Sequence, residues 1–414
     1  MAKIRAFKAI RPVTKYASEV AALPYDVMNS EEARLEIQGK PNSFMRIDRP
    51  ETTLDKSIDI YDERVYQQAV INMNSLLERG IMQQDSTANL YLYELTMDGR
   101  SQTGVVCCAS VDEYLNETIK KHEKTRADKL ADRIKHVDVL DANTGPIFLA
   151  YKKQEEINTI VNQYKQNKPE SDFTSPDGVT HRIWVIDNQE IIQQLVNEFA
   201  KLDALYIADG HHRCASGVEV AKKRRAENPG YSGDEEFNYF LAVVFSDHEL
   251  KILDYNRVVK DLNGLSEEKF FAKVEEKFTV ESVGDQIYHP QAKAEFGMYY
   301  QNEWYKLTAR PGTFDPDDPV NSLDVAIMQN NLLQPILGIK DPRTDQRIDF
   351  VGGIRGLTEL ERRVDCGEMK VAFSMYPTSI SELFAVADAN ELMPPKSTWF
   401  EPKLRSGLFI HKLS

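Results

Sequence analysis

A mixed α/β fold is the architecture this sequence predicts, and two observations predict it. Short apolar runs, GPIFLAYKK, HRIWVIDN and LYIADG, alternate with stretches of helical periodicity, EEINTIVNQYKQ and NQEIIQQLVNEFAKL; strands alternating with helices build layered α/β units. The 414 residues, 42% apolar and 28% charged, have the balance of a globular chain and exceed what one hydrophobic core usually organises. Two or three structural units are therefore expected.

From the N-terminus, KIRAFKAIRPV reads as a strand ending at Pro12. A loop and a helix follow in AALPYDVMNSEEARLEIQGKP, where Asn29 or Ser30 caps and Glu31 and Glu32 favour the first turn. The spacing of Ile60, Val65, Ala69, Val70, Met73, Leu76 and Leu77 predicts a second helix, which Gly80 stops. Met97-Asp98-Gly99-Arg100 joins two strand-like runs, and Asp-Gly marks a hairpin. The segment ETIKKHEKTRADKLADRIKHVDVLDANTG reads as one polar, basic helix, and KPESDFTSPDGVT as a loop. LYIADG runs into a further helix, after which the loop NPGYSGDEE precedes the strands FNYFLAVVFS and LKILDYNRVV. The helix SEEKFFAKVEEKF and the hairpin AEFGMYYQNEWYKLTA come next, and the proline- and aspartate-rich RPGTFDPDDP is the expected linker. The last portion combines helices in LDVAIMQNNLLQPIL, GLTELERRVDCG and ISELFAVADAN with the strand VAFSMYP, and ends in MPPKSTWFEPKLRSGLFIHKL.

Net charge is −14, with 65 acidic against 51 basic side chains, so the surface as a whole repels a nucleic-acid backbone. An anionic ligand must meet a local concentration of positive charge. Cys107, Cys108, Cys214 and Cys366 show no CxxC pair, and no disulfide framework or zinc site is written in them. The N-terminus lacks the apolar core of a signal peptide and no apolar run is long enough to span a bilayer, so the expected address is cytoplasmic, without membrane partners.

LYIADGHHRCASGVEVAKKRRAE carries the clearest chemistry. An apolar strand breaks at Asp209-Gly210 and enters a helix directly; glycine permits the tight turn, and the N–H groups of the first helical turn make an anion site. Arg213 can fork two donors onto phosphate oxygens, and His211 and His212 add donors whose charge is adjustable near neutral pH. A carboxylate beside such a site must bind Mg²⁺, orient a histidine or take a proton from an attacking hydroxyl, which gives Asp209 a catalytic or metal-binding role. The plainer alternative, equally open from the residues alone, is that Asp209 caps the helix and the histidines lie on the surface.

In IKKHEKTRADKLADR, Lys120, Lys121, His122, Lys124, Arg126, Lys129 and Arg133 concentrate positive charge in an acidic chain. Lys124, Thr125 and Arg133 suit a polyphosphate, with His122 and Glu123 as supports. A solvated helix face, with Glu123, Asp128 and Asp132 in i,i+4 pairs, explains the run equally. Asp26 of PYDV stands in a loop from which a carboxylate can reach a site. Tyr255, Asn256 and Arg257 of DYNRVV, and Lys396, Ser397, Thr398 and Lys403 of MPPKSTWFEPK, are further candidates for lining a pocket, with a plain structural loop as the alternative. GGIRG at 352–356 lacks the spacing of a dinucleotide loop and is set aside.

The strings ALPYDV, KPNSFMRI, KKHEKTRADKLADR, YIADGHHRCASG, DYNRVV, DFVGG and MPPKSTWFEPKLRSGL resemble, in order and from end to end, the DUF1015 family of bacteria and archaea. ADGHHR in turn is similar to the phosphate-binding motif of the wider ParB/sulfiredoxin superfamily, which includes free-serine kinases. That resemblance implies a ParB/sulfiredoxin-like phosphate-binding core with added α/β segments: residues 1–260 as the core with insertions, 261–312 as a small α/β hairpin insertion, and 313–414 as a C-terminal segment closing the site. It implies that Gly210, His211, His212 and Arg213 bind phosphate and that Asp209 is catalytic or binds metal. Asp26 is the best counterpart for the kinases' separate acidic base. Sulfiredoxin chemistry is excluded, because histidine stands where its cysteine belongs and Cys214 follows the arginine. The expected activity is a nucleotide-dependent kinase acting on a small hydroxyl compound such as serine, using ATP, ADP or CTP with Mg²⁺. The alternative is a nucleotide-binding regulatory module without phosphoryl transfer. Nucleic acid is disfavoured as a partner, and a homodimer is the candidate assembly.

Overall fold

The computed structural model describes residues 2–125 and 127–414, with only the backbone of Asp128. Arg126 and the Asp128 side chain, both counted in the basic stretch, therefore lie outside the described residues. The chain is a mixed α/β protein. It divides into two compact units: the chain up to Leu250 together with Pro402–Ser414, and Lys251–Glu401.

The first unit is built on a nine-stranded sheet. In chain order its strands are β1 (Ile4–Arg5), β2 (Leu90–Met97), β3 (Arg100–Ser110), β4 (Ile119–Lys120), β5 (Ile147–Tyr151), β6 (Ser171–Thr174), β7 (Thr180–Ile186), β8 (Leu205–Asp209) and β9 (Tyr239–Ser246). The spatial order is β4-β8-β5-β9-β3-β2-β7-β6, with β1 beside β3. Pairs β4/β8 and β5/β9 are parallel and the rest antiparallel. Central strands covered on both faces read as continuous apolar runs, and every residue of β5 and β9 is buried. The same cover buries both neighbours Cys107 and Cys108 on opposite faces of β3, as free thiols. The β2–β3 hairpin closes through Asp98 (φ 51°) and Gly99 (φ 76°), the left-handed pair that a two-residue turn requires.

Around this sheet stand α1 (Ser30–Glu36), α2 (Met45–Asp48), α3 (Glu63–Glu78), α4 (Ala127–Leu140), α5 (Glu155–Tyr164), α6 (Gln189–Phe199) and α7 (His211–Glu227). One core joins Leu149, Ile207 and Val244 of the sheet to Ile157, Leu195 and Val218 of α5, α6 and α7. A second core joins Phe44, Ile47, Met73 and Leu76 to Ile410. Each such side chain, fully buried, contributes about 1.5–3 kcal/mol. Asn29 caps α1 in a capping box with Glu32, and Asp62 caps α3.

In the second unit six antiparallel strands form a sheet: β10 (Tyr255–Val259), β11 (Phe278–Gly284), β12 (Glu295–Tyr300), β13 (Glu303–Ala309), β14 (Ile348–Gly352) and β15 (Val371–Met375), in the order β11-β13-β12-β15-β10-β14. Among the described residues no helix is long and apolar enough to cross a membrane.

Several elements differ from the sequence expectation. The N-terminal strand is two: β1 pairs with β3, while Ile10–Pro12 pairs with Met82–Gln84. Helix α3 starts at Glu63, because Asp62 caps it, and leaves Ile60 exposed. The basic segment is not one helix: Ile119 and Lys120 form β4 against Leu205 and Tyr206, residues 121–125 are loop, and α4 follows. The loop KPESDFTSPDGVT contains edge strand β6, held by β7. RPGTFDPDDP lies inside the second unit rather than between units, and the hairpin of 261–312 shares one sheet with later strands. The units thus do not follow the divisions at 260 and 312, because residues 402–414 return to the first unit.

Candidate functional site

Strand β8 and helix α7 meet at one residue. Apolar Leu205–Ala208 is buried in the sheet, and a bulge between Ile207 and Asp209 shifts the register with β5, Asp209 pairing with Phe148. Gly210 then takes φ 90°, ψ 31°, a left-handed conformation open to glycine, and becomes the N-cap of α7. The first i→i−4 bond of the helix runs from the Cys214 N–H to the Gly210 carbonyl at 2.9 Å. The N–H groups of His211, His212 and Arg213 precede it, at the positive end of a seventeen-residue helix. Ala215, Val218 and Ala221 face inward, as expected, and seat the helix on the sheet.

Asp209 does not cap α7 in the ordinary way. One carboxylate oxygen accepts the Gly210 N–H at 2.7 Å and the other accepts Nζ of Lys403 at 2.9 Å. Burial opposes its charge, yet Lys403 and Arg213 hold the carboxyl well below the usual carboxylate range. A carboxylate so stabilised is a weak proton acceptor and a good partner for a cation. Among the described residues no group of three metal-ligating side chains forms. Mg²⁺ is ordinarily held by one or two carboxylates plus phosphate oxygens, and Asp209 fits that donor set.

Arg213 turns back over its own turn. Its Nη1 donates to the Pro146 carbonyl at 2.5 Å, while its buried Nε has no hydrogen-bond partner among the described residues. A Cβ at position 210 would stand 3.2 Å from that Nε, and one at Gly145 would stand 3.6 Å from Nη1, so two glycines make room for the guanidinium. Arg213 shares a cavity of about 30 Å³ with Arg133, Tyr25, Asp48, Thr144 and Gly145. That space holds a water-sized group, such as one phosphate oxygen with its neighbours displaced.

Arg133 of α4 is buried, pairs with Asp132 at 2.6 Å and stacks over the Tyr25 ring at 4.3 Å. Although burial opposes its charge, Asp132, Tyr25 and Asp48 raise its pKa above the ordinary value. The PYDV loop therefore reaches the cavity through Tyr25, whose carbonyl accepts a hydrogen bond from Arg49 at 3.0 Å. Asp26 is exposed on the same loop and acts electrostatically on the Tyr25 hydroxyl. Thr144 donates to Asp48 at 3.0 Å, and His136 contacts the Ile47 carbonyl at 2.9 Å, fixing the cavity wall.

His211 points away from the helix surface into the protein. Its Nε2 accepts the His122 N–H at 3.5 Å, its Nδ1 lies 3.7 Å from Glu123, and the two imidazoles meet edge to face at 4.5 Å. Burial pushes His211 down to about 4, overriding the pull of Asp209 and helped by His212 and Lys121. Burial, then the His211 ring, pushes His122 down to about 3. Both are neutral at pH 7, which corrects the expectation of an adjustable positive charge at His211. Neither ring nitrogen of His122 has a hydrogen-bond partner among the described residues. His212 is half-buried at the first turn of α7. Lys124 is exposed and Thr125 half-buried on the loop leading to α4.

Asn256, Arg257 and Lys396 belong to the second unit. There Asn256 is fully buried and bonds Asp254 at 2.5 Å and the Met375 N–H at 2.9 Å. Arg257 donates to the carbonyls of Tyr255 and of Lys396, and Lys396 lies over the Tyr255 ring. Their contacts are those of a structural tie between β10 and the 396 loop. Asp48 and the Gly145-Pro146 backbone were not among the candidates from sequence, whereas Lys403 was one of several in its loop. The one available signal was MPPKSTWFEPK, where Lys403 stood out no more than its neighbours.

No curated protein matches this chain. Solved structures similar to it include a free serine kinase in complex with AMP, at 13% identity over 73% of this chain and 91% of that one, with a TM-score of 0.34. SbnI with a C-terminal truncation, from Staphylococcus aureus, is 11% identical over 73% and 85%, with a TM-score of 0.38. A conserved hypothetical protein from Pyrococcus furiosus is 14% identical over 74% and 94%, with a TM-score of 0.34. A family model described as a protein of unknown function, DUF1015, matches residues 4–326, more than half of the chain, and the protein belongs to the DUF1015 family.

Proposed function

We propose that this protein is a nucleotide-dependent phosphotransferase acting on a small hydroxyl compound such as serine. The observation that carries the reading is the unpartnered Nε of Arg213, buried beside Arg133 at the N-terminal end of α7. A buried guanidinium, a half-buried one whose Nε is enclosed, and a helix N-terminus around one cavity suit a dianionic phosphate, each charge-assisted hydrogen bond contributing about 1.5–3 kcal/mol. The motif at 209–213, which resembles the superfamily's phosphate turn, supports the same ligand. Gly210 lets the phosphate approach the backbone, and Arg213, Arg133 and the first-turn N–H groups hold it. The cavity of about 30 Å³ takes one phosphate oxygen, so the rest of the nucleotide lies outside it. Asp209 would hold Mg²⁺, which neutralises charge building on the transferring group. Neutral His211 supports the turn through His122, and Asp26 is the candidate to accept the proton of the attacking hydroxyl.

Purified full-length protein incubated with Mg²⁺ and ATP, ADP or CTP is expected to phosphorylate at least one member of a panel of hydroxy amino acids, seen by phosphorus NMR. Asp209→Asn is expected to lower that rate at least a hundredfold while leaving nucleotide binding intact. A second reading, nucleotide binding without transfer, is favoured by the closed Asp209–Lys403 pair, which leaves the carboxylate already neutralised. Calorimetric binding of nucleotide with no product from any acceptor decides for it and against the kinase.

A further inference from the structure

The last segment of the chain re-enters the first unit and is tied there along its length. Ser406 bridges Ala22, Ile410 bridges Ile10, and His411 and Lys412 pair with Asn143 and Ala142. Leu404, Leu408, Phe409 and Ile410 are buried, and Arg405 binds Asp177 and donates to His181 Nε2 at 3.4 Å. Gly407 (φ 83°) passes so close to Phe44 that a Cβ would clash with its ring at 2.5 Å. Lys403 stands at the entry of this strap, its side chain 14% exposed, with its ammonium on Asp209 at the β8–α7 turn.

We infer that Lys403 is a phosphate-binding cation held in reserve: its ammonium pairs with Asp209 in this structure, and when nucleotide binds it moves to a phosphate oxygen. The strap is already anchored by strand pairing, buried apolar side chains and Arg405, so the Lys403–Asp209 pair is not what fastens it. A lysine ammonium is a compact charge on a flexible four-carbon stem and can change partner without moving the backbone. A nucleoside diphosphate brings more negative charge than one carboxylate and outcompetes it for the ammonium. The exchange leaves the Asp209 carboxylate open for a divalent ion. The inference rests on the nucleotide reading above and adds to it a residue 194 positions away in the chain.

The test is calorimetric titration of ADP, in the absence of divalent ions and at fixed salt, into five proteins: wild type, Asp209→Asn, each of these with Lys403→Met, and Asp209→Asn with Lys403→Arg. In the Asp209→Asn background the Lys403–Asp209 ion pair is already gone, so removing Lys403 reports its contact with the ligand without the loss of that pair. Expected is at least a tenfold loss of ADP affinity from Asp209→Asn to the double variant, recovered to within about threefold by Lys403→Arg. A double variant that binds ADP within threefold of Asp209→Asn overturns the inference and leaves the pair purely structural. The double variant loses one charge of each sign together, so its circular dichroism is expected to match wild type. Wild type that binds neither ADP nor pyrophosphate overturns the nucleotide reading itself, before Lys403 is judged.

Discussion

His122 and His211 are buried as neutral rings, and their protonation sets a cost on acid. In the folded state they titrate near 3 and 4, below the ordinary 6.5 of histidine. Between those limits the unfolded chain binds more protons, so stability is complete above pH 6.5, is lost as pH falls, and stops falling near 3. His136, pushed down to about 4, and His181, pushed down to about 3, both by burial first, act in the same direction. Asp324, raised to about 7 by burial, acts in the opposite direction, as do Glu113 and Glu249, also raised by burial, but these three carboxyls stand against five imidazoles once His411, lowered by burial, is included. The melting temperature is therefore expected to fall steadily from pH 6.5 to 4.5, before the carboxylates with lowered pKa titrate. A melting temperature that is flat or rising across that window contradicts the assignment of neutral buried histidines. Residue roles were only partly legible in sequence. Arg213 and Gly210 announced themselves because a helix follows a strand with one glycine between. The neutrality of His211 did not, because it depends on burial against His122, 89 positions earlier.

The junction of β8 and α7 is where element geometry turns into chemistry. Gly210→Ala places a Cβ at φ 90° and within 3.2–3.3 Å of the Arg213 guanidinium. The left-handed conformation alone costs about 1–2 kcal/mol, and the arginine must also leave the two-glycine slot. Chemical denaturation is expected to show a loss of that size, and ADP affinity is expected to drop at least tenfold. Wild-type affinity in a folded Gly210→Ala protein contradicts the role of this slot. At this scale the sequence was informative wherever periodicity and punctuation agreed, as in α3 before Gly80 or the hairpin at Asp98-Gly99. It misled where a short strand owes its existence to a distant partner. Ile119 and Lys120 are strand because Leu205 and Tyr206 lie beside them, and Ser171–Thr174 because β7 supplies the hydrogen bonds. Local propensity carries no trace of either.

Across the whole molecule, the cavity draws on segments near residues 25, 48, 133, 145 and 213, all within the first unit. The class of fold was readable from alternation of strand and helix, and the family from motif strings. The division of the chain was not, since the final residues return to a unit that the chain had left at Leu250. The same return brings Lys403 to Asp209, a pairing across 194 positions that no local pattern announces. Asn256, Arg257 and Lys396, grouped with the phosphate residues by their chemistry alone, belong to the second unit, where Arg257 donates to the Lys396 carbonyl and Asn256 accepts from the Met375 N–H. The central claim is that negative charge is trapped where α7 begins, between Arg213 and Arg133. A crystal structure of the full chain grown with ADP tests it most directly. A phosphate within hydrogen-bond distance of Arg213 Nε and of the His211 or His212 N–H, with Arg133 on its far side, is the predicted result. ADP phosphates bound elsewhere, with Arg213 still closed on the Pro146 carbonyl, would contradict it.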